Sequence, residues 1–309
     1  MFRNSLLAAV AGLALSTAAD AKSIDSIGVT MGSLGNPYFV ALVKGITAQA
    51  RQSDKSVRVT SVSADYDLNK QFTQVDNFIA SGANAIVINA VDPNAILPAI
   101  KRAENAGIVV VAADVAANGA DATVMTDNVA AGRLSCEALV KDIGGKGNVI
   151  IENGPQVSAV TDRVKGCKEV LAQHPDVKIL SDDQDGKGSR DGGLAVMQGY
   201  LIRYPDIAGV FTINDPQAIG SELAARQTHR TNIVITSVDG APDVVQALKT
   251  PGSLIKATAS QDPYRMGELA VQAAQAIANG HRPADKVQLM APKLITAANV
   301  NSYTGWTQH

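Results

Sequence analysis

The stretch AIVINAVDPNAILPAIKRAENAGIVVVAAD, residues 85–114, decides the fold. Ala85 to Asn89 is a short apolar run rich in β-branched residues, which predicts a strand. Pro93 to Ala106 has helical spacing, Gly107 stands where a helix C-cap belongs, and Ile108 to Ala113 is a second apolar run. Neither run alternates with polar residues. Continuous apolar strands are buried on both faces, the condition of a parallel sheet flanked by helices.

The same unit repeats in both directions. Upstream, Ile27 to Met31 reads as a strand. Pro37 to Arg51 reads as a helix, with Val40, Val43, Ile46 and Ala50 at helical spacing. Val57 to Val62 is the next strand. In the helix that follows, Leu68, Phe72, Val75, Phe78 and Ile79 share one face before Gly82. The pattern restarts after Asp127: helix Val129 to Ile143, strand Val149 to Ile151, helix Val160 to Ala172, strand Val177 to Leu180, helix Asp191 to Arg203. Strand Ala208 to Ile213, helix Ala218 to Gln227 and strand Ile233 to Val238 complete the second run. The tail differs, with strand Leu254 to Ala259, helix Tyr264 to Asn279, and short strands Val287 to Met290 and Lys293 to Ala297. The expected class is α/β: two doubly wound parallel-sheet, Rossmann-like lobes. A length of 309 residues agrees, at about 100–200 residues per domain. No low-complexity linker separates the runs, so short ordered crossings are expected between the lobes.

The first residues stand apart. Met1 to Asn4 carries one charged side chain, Arg3; Ser5 to Ala19 is small and apolar; Ala19-Asp20-Ala21 matches a small-x-small cleavage site. This is a secretory signal peptide, expected to span residues 1–21 and to be removed. The apolar run is shorter than the ~20 residues of a membrane span. The mature chain is expected near Lys22, in the periplasm. Lys+Arg 27 against Asp+Glu 29 leaves no basic excess to attract nucleic acid. An exported chain meets an oxidising compartment, where Cys136 and Cys167 are either two buried thiols or a disulfide. Both sit in expected helices of the same half, which favours the bridge. No spacing suits zinc, and the histidines (His174, His229, His281, His309) read as surface residues.

In open parallel sheets, ligands bind beyond the C-terminal ends of the strands. The first strand ends in Gly32-Ser33-Leu34-Gly35-Asn36-Pro37-Tyr38-Phe39. Ile108 to Ala113 ends in Asp114. Val149 to Ile151 leads to Thr161-Asp162-Arg163, Ala208 to Ile213 to Asn214-Asp215, Ile233 to Val238 to Asp239-Gly240, and Leu254 to Ala259 to Gln261. Asp, Asn, Gln and Arg at one common edge supply paired donors and acceptors for a ligand with neighbouring hydroxyls. Tyr38 and Phe39 stand adjacent in a chain only 4% aromatic, and a ring face suits the C–H face of a sugar or polyol. The bland alternatives are core packing for Phe39 and helix N-capping for Asp114 and Asp239.

These residues resemble the periplasmic ribose-binding protein family, the type I sugar-binding proteins related to LacI-type repressor cores. The likeness spans the whole mature chain. Its anchors are Asn36-Pro37-Tyr38-Phe39, Asp114, Asp127-Asn128, Arg163 with Gly166, Val196-Met197-Gln198, Asn214-Asp215, Asp239-Gly240 and Gln261-Asp262-Pro263. The resemblance implies that Asn36, Asp114, Arg163, Asn214, Asp239 and Gln261 hydrogen-bond the ligand while Tyr38 and Phe39 lie against it. It implies a hinge of three crossings near Asp127, Gln261 and Ala291. The N-terminal lobe is then 22–126 with 262–291, and the C-terminal lobe 127–261 with 292–309. It also implies a monomer that delivers a small sugar or polyol to the permease of an ABC importer, without cofactor or catalysis. Two departures stand out. Ribose binders carry Arg after the aspartate, where this chain has Val115. Gly188 stands near the position of a third aromatic wall. A ligand other than a cyclic pentose is therefore expected: a different sugar, or a smaller or linear polyol.

Other motifs carry less. Gly186 to Gly192 misses the dinucleotide spacing G-x-G-x-x-G, and Gly144-Gly145-Lys146-Gly147 lacks the Ser or Thr of a phosphate loop. Asp182, Asp183 and Asp185 lack the pattern of a calcium loop. No G-x-S-x-G elbow is present. Asp114 and Asp239 form a conceivable glycosidase pair, with no sign of a catalytic environment. A sensory sugar-binding protein would share fold and site and differ in partner. A sugar-processing α/β enzyme would turn its ligand over. A repressor is disfavoured by a signal peptide where its DNA-binding headpiece would stand.

Overall fold

A computed structural model describes residues 24–306. The expected signal peptide and His309 lie outside the described residues. In chain order the elements begin with β1 (Ser26–Met31), α1 (Pro37–Ser53), β2 (Arg58–Ser63), α2 (Leu68–Ala80), β3 (Ala85–Ile88), α3 (Leu97–Asn105), β4 (Val109–Ala113) and β5 (Ala122–Thr126). There follow α4 (Asn128–Asp142), β6 (Gly147–Glu152), α5 (Ser158–Leu171), β7 (Val177–Ser181), α6 (Arg190–Arg203), β8 (Gly209–Thr212), α7 (Asp215–Gln227) and β9 (Val234–Asp239). The last are α8 (Pro242–Lys249), β10 (Ile255–Ser260), α9 (Pro263–Ala278), β11 (Val287–Met290) and β12 (Lys293–Thr296).

The strands form two six-stranded sheets, ordered β11-β5-β4-β3-β1-β2 and β12-β10-β9-β8-β6-β7. All pairings are parallel except β10 with β12. Strand order reverses at β1/β3 in one sheet and β6/β8 in the other, and a crevice opens at such a point. Helices α1 and α9 cover one face of the first sheet, with α2 and α3 on the other. In the second lobe, α4 and α5 face α6, α7 and α8 across the sheet. The central strands β1, β3 and β5 are buried along their whole length. The edge strands β2 and β11 are not.

The chain passes between lobes three times: from β5 to α4, from β10 to α9, and from β11 to β12. One apolar cluster continues from α2 and α3 across the gap into α4 and α5. Among the described residues no helix is long and apolar enough to cross a membrane.

Two elements escape the sequence pattern. β5 has its apolar residues interrupted by Thr123 and Thr126, and α8 shows its periodicity mainly through Val244 and Leu248. The helix expected from Pro93 begins later, at Leu97. Asp92 accepts from the backbone of Asn94 and Ala95 and holds a turn first.

The pair α4–α5 sets one wall of the gap. A Cβ on Gly132 would stand 2.0 Å from the Arg163 carbonyl oxygen, and one on Gly166 2.1 Å from that of Val129. Only glycine lets the two backbones approach so closely. Cys136 and Cys167 are joined in a disulfide one turn further along this crossing, with Cα atoms 5.1 Å apart.

Candidate functional site

All eight residues singled out in the sequence line one buried cavity between the lobes. Seven of them arrive there because each follows a strand or opens the next helix at the facing edges of the two sheets, and Arg163 reaches in from the second turn of α5.

Asn36 caps α1, its Oδ1 accepting from the Tyr38 backbone at 2.9 Å. That cap places Tyr38 and Phe39 in the first turn, facing the cavity. Their rings meet edge to face at 5.4 Å, and Tyr38 meets Trp306 in the same manner at 5.5 Å. Phe39 also packs in the core of the N-terminal lobe, so packing and lining coexist there. Asn214 caps α7 through Oδ1, and its Nδ2 donates to the Gly188 carbonyl at 3.0 Å.

Capping does not explain Asp114 and Asp239. No helix begins after Asp114, and the N-cap of α8 is Ala241. Both aspartates instead hold positive φ, 72° and 140°. Such a backbone costs about 1–3 kcal/mol and concentrates at functional sites. Asp114 accepts from Asn89 Nδ2 at 2.9 Å through Oδ2. Its Oδ1 is buried without a hydrogen-bond partner among the described residues.

A polar chain ties the lobes. The Tyr38 hydroxyl donates to Gln261 Oε1 at 3.3 Å, and Gln261 Nε2 donates to Asp239 Oδ1 at 2.7 Å. The Arg163 guanidinium lies 3.6 Å from that carboxylate. It is fixed by donating to Asn128 Oδ1 at 2.8 Å and to the Ile213 carbonyl at 2.9 Å. Beside the cavity, the Ala116 backbone donates across the gap to Ser158 Oγ at 2.8 Å.

Burial dominates the electrostatics. It pushes Asp239 up to about 6, with Arg163 pulling the other way. It raises Asp114 as well, again opposed by Arg163. The Tyr38 hydroxyl is raised by burial and by the charge of Asp114. Two carboxylates face one guanidinium, so the site favours a partner that brings hydrogen-bond donors.

Sequence reasoning missed Tyr66 and Asn89, which both line the cavity. Asn89 is the organiser of Asp114, and its Oδ1 accepts from the Gly32 backbone at 3.1 Å. Each directly follows the end of a strand or its turn, so the rule that found Asp114 extends to them. Tyr66 adds a ring that the sequence reading did not count. Gly188 does line the cavity, but a Cβ placed on it would be 3.9 Å from the Tyr66 hydroxyl. An aromatic side chain from the opposite lobe occupies that side. Val115 contributes an apolar surface, as its identity implies. Trp306, the chain's single tryptophan, donates from Nε1 to the Asp239 carbonyl at 3.0 Å and buttresses the site from the C-terminus.

The cavity is about 40 Å³, and an adjoining pocket of about 410 Å³ shares Asn36, Tyr66 and Gly188 with it and is lined also by Ser33, Lys187, Arg190 and Asp243. A larger depression of about 580 Å³ lies beside the crossings, near Met290, Lys293 and Tyr303. Of the eight residues it includes only Gln261, so the convergent chemistry lies in the smaller space. No group of three or more His, Cys, Asp or Glu among the described residues is arranged to hold a metal.

Residues 27–282 match the model of the periplasmic binding protein domain. The chain is 33% identical over 261 residues to the ribose import binding protein of Bacillus subtilis, covering 83% of each. It is 31% identical over 297 residues to the D-apiose import binding protein of Paraburkholderia graminis, covering 94% of each. Among solved structures, an ABC transporter solute-binding protein from Mycobacterium smegmatis with bound glycerol superposes with a TM-score of 0.84. It is 30% identical, over 91% of this chain and 97% of that one.

Proposed function

The chain belongs to the periplasmic binding protein family, and from that premise we propose that it is the solute-binding component of an ABC importer whose interlobe cleft takes a monosaccharide or sugar-like polyol. The carrying observation is the convergence, from both lobes, of Asp114, Arg163, Asn214, Asp239 and Gln261 with Tyr38, Phe39 and Tyr66 on one buried cavity. Carboxylates and amides suit neighbouring hydroxyls, and the rings suit C–H faces. The related import proteins for ribose and D-apiose support the ligand class. It is a binding protein and not an enzyme, as those relatives are.

Function rests on closure about the three crossings. Asn36, Tyr38, Phe39 and Asp114 contact the ligand from one lobe, Arg163, Asn214 and Asp239 from the other, and Gln261 from a crossing. Only the closed form makes both sets of contacts, and that difference in affinity drives the equilibrium. A shift from 1:99 to 99:1 requires roughly 5.5 kcal/mol. Two to four charged hydrogen bonds at about 1.5–3 kcal/mol each cover it. The mature protein acts as a periplasmic monomer and presents its closed form to a permease.

A thermal-shift screen of the mature protein against pentoses, hexoses, deoxysugars and polyols tests the reading. A ligand at 100 times its Kd adds about 2.7 kcal/mol to stability. The expected result is a large shift with one compound that disappears in Asp114→Ala. No shift with any compound overturns the sugar reading.

A further inference from the structure

Besides Asn36, Asn214 and the rings of Tyr38, Phe39 and Tyr66, two unlike sets of side chains line the cavity. Asn89, Asp114, Arg163, Asp239 and Gln261 form the hydrogen-bonding set. Val115, Val157, Ala159, Val160 and Ile213 form the other, each at most 7% exposed. These five belong to the apolar cluster that continues across the gap. Val115 follows β4 in one lobe. Val157, Ala159 and Val160 come from the start of α5 in the other. The apolar wall is therefore complete only when the lobes meet, and the Ala116–Ser158 hydrogen bond pins the two loops together beside it.

No side chain of this wall offers a donor or acceptor. The backbone oxygens of Ile213, Val157 and Pro155 beside it are engaged. Ile213 accepts from Arg163, Val157 from the backbone of Val160 and Thr161, and Pro155 from that of Val157. A ligand hydroxyl turned toward the wall would lose its water partners without replacement. A methyl or methylene group there would gain apolar contact instead.

Resting on the reading that the cleft takes a small sugar or polyol, we propose that its ligand bears a deoxy carbon or a methyl group that packs on Val115, Val157 and Val160. Its hydroxyls are gathered toward Asp114, Arg163 and Asp239. The ligand class is a deoxysugar or a deoxy polyol, selected over the fully hydroxylated parent.

Titration calorimetry on matched pairs tests this: 2-deoxy-D-ribose with D-ribose, L-fucose with L-galactose, L-rhamnose with L-mannose. Apolar pockets discriminate against an added hydroxyl by up to roughly 10²-fold, so a deoxy member is expected to bind at least about tenfold tighter than its parent. Val115→Thr keeps the shape of the side chain and adds a hydroxyl. It is expected to reduce that ratio several-fold. If Val115→Thr fails to fold, Val115→Ala serves, and should weaken the deoxy ligand more than the parent. A parent that binds as tightly as its deoxy partner, or a ratio unmoved by either variant, overturns the proposal while the sugar reading stands. Binding of none of these compounds, by heat and by thermal shift, overturns the proposal, and the sugar reading falls with it if the wider thermal-shift screen is silent too.

Discussion

Asp239→Asn removes one negative charge from the cleft while changing almost no volume. Asp239 is 3% exposed, and burial lifts its carboxyl from 3.8 to about 6 despite Arg163 at 3.6 Å. A raised carboxylate pKa means that the folded state holds the proton more tightly than the unfolded chain does. Stability from this group is then complete below about pH 3.8, falls as pH rises toward 6, and stays low above it. At about 1.36 kcal/mol per pH unit, the ionised form costs the fold about 3 kcal/mol at neutral pH. Asparagine never ionises, so it escapes that cost. Its Oδ1 can still accept from Gln261 Nε2, but its Nδ2 replaces the oxygen that accepts from the Asp215 backbone at 3.4 Å. Losing that long bond costs about 1 kcal/mol. The net expectation for the closed conformation, in which Asp239 is buried, is a gain of about 2 kcal/mol at pH 7.5, or a Tm higher by roughly 3 °C. Affinity moves the opposite way, since the charged acceptor for ligand hydroxyls is gone. Urea unfolding of both proteins at pH 7.5 and pH 4, with and without ligand, separates the two effects. The advantage should largely vanish at pH 4, where Asp239 is protonated in the folded wild type. A variant less stable than wild type at pH 7.5 refutes the reasoning, because pairing with Arg163 would then outweigh burial.

Ligand affinity of the wild type should weaken as pH falls through about 6, as Asp239 takes a proton, and calorimetry in buffers of different ionisation enthalpy should show proton release on binding near that pH. Replacing both Cys136 and Cys167 by Ser opens a bridge that spans 31 residues, and should cost about 3–4 kcal/mol by chain entropy, read as a lower denaturation midpoint. Gly188→Ala places a Cβ 3.3 Å from Asn214 Nδ2 at a φ of 60°; stability should fall by about 1 kcal/mol and affinity should fall further, measured by thermal shift and calorimetry. Glu152, fully buried and hydrogen-bonded to Ser221 and Gln217, has its carboxyl raised by burial to about 8; the wild type should lose stability relative to Glu152→Gln as pH rises from 4.5 through 8, detected as diverging Tm values.

Much of this protein is legible one residue at a time. Apolar runs such as Ala85–Ile88 and Val109–Ala113 can only be buried on both faces, so helices must cover them and the sheet must be parallel. A parallel doubly wound sheet presents its strand ends at one edge, and polar residues placed there, Asp114, Asn214 and Asp239 among them, point to a cleft before any coordinate is known. Glycine at 82 and 107 marks helix ends because the backbone there has positive φ.

Local pattern is blind to what distant segments do to each other. β5 has no unbroken apolar run, since Thr123 and Thr126 interrupt Ala122, Val124 and Met125, and it is a strand because β4 and β11 pair on either side of it. Asn89 looks like the last residue of a strand, and becomes an organiser of the site only when Asp114 is brought within 2.9 Å. Tyr66 faces Gly188 from across the gap, and Trp306 reaches back 67 residues to Asp239. Periodicity, turn chemistry and strand polarity are properties of the chain over a few residues, and the sequence alone determined those. Which side chains share a buried space, and how far burial shifts their charges, depends on contacts between remote segments, and the tertiary structure alone decided that.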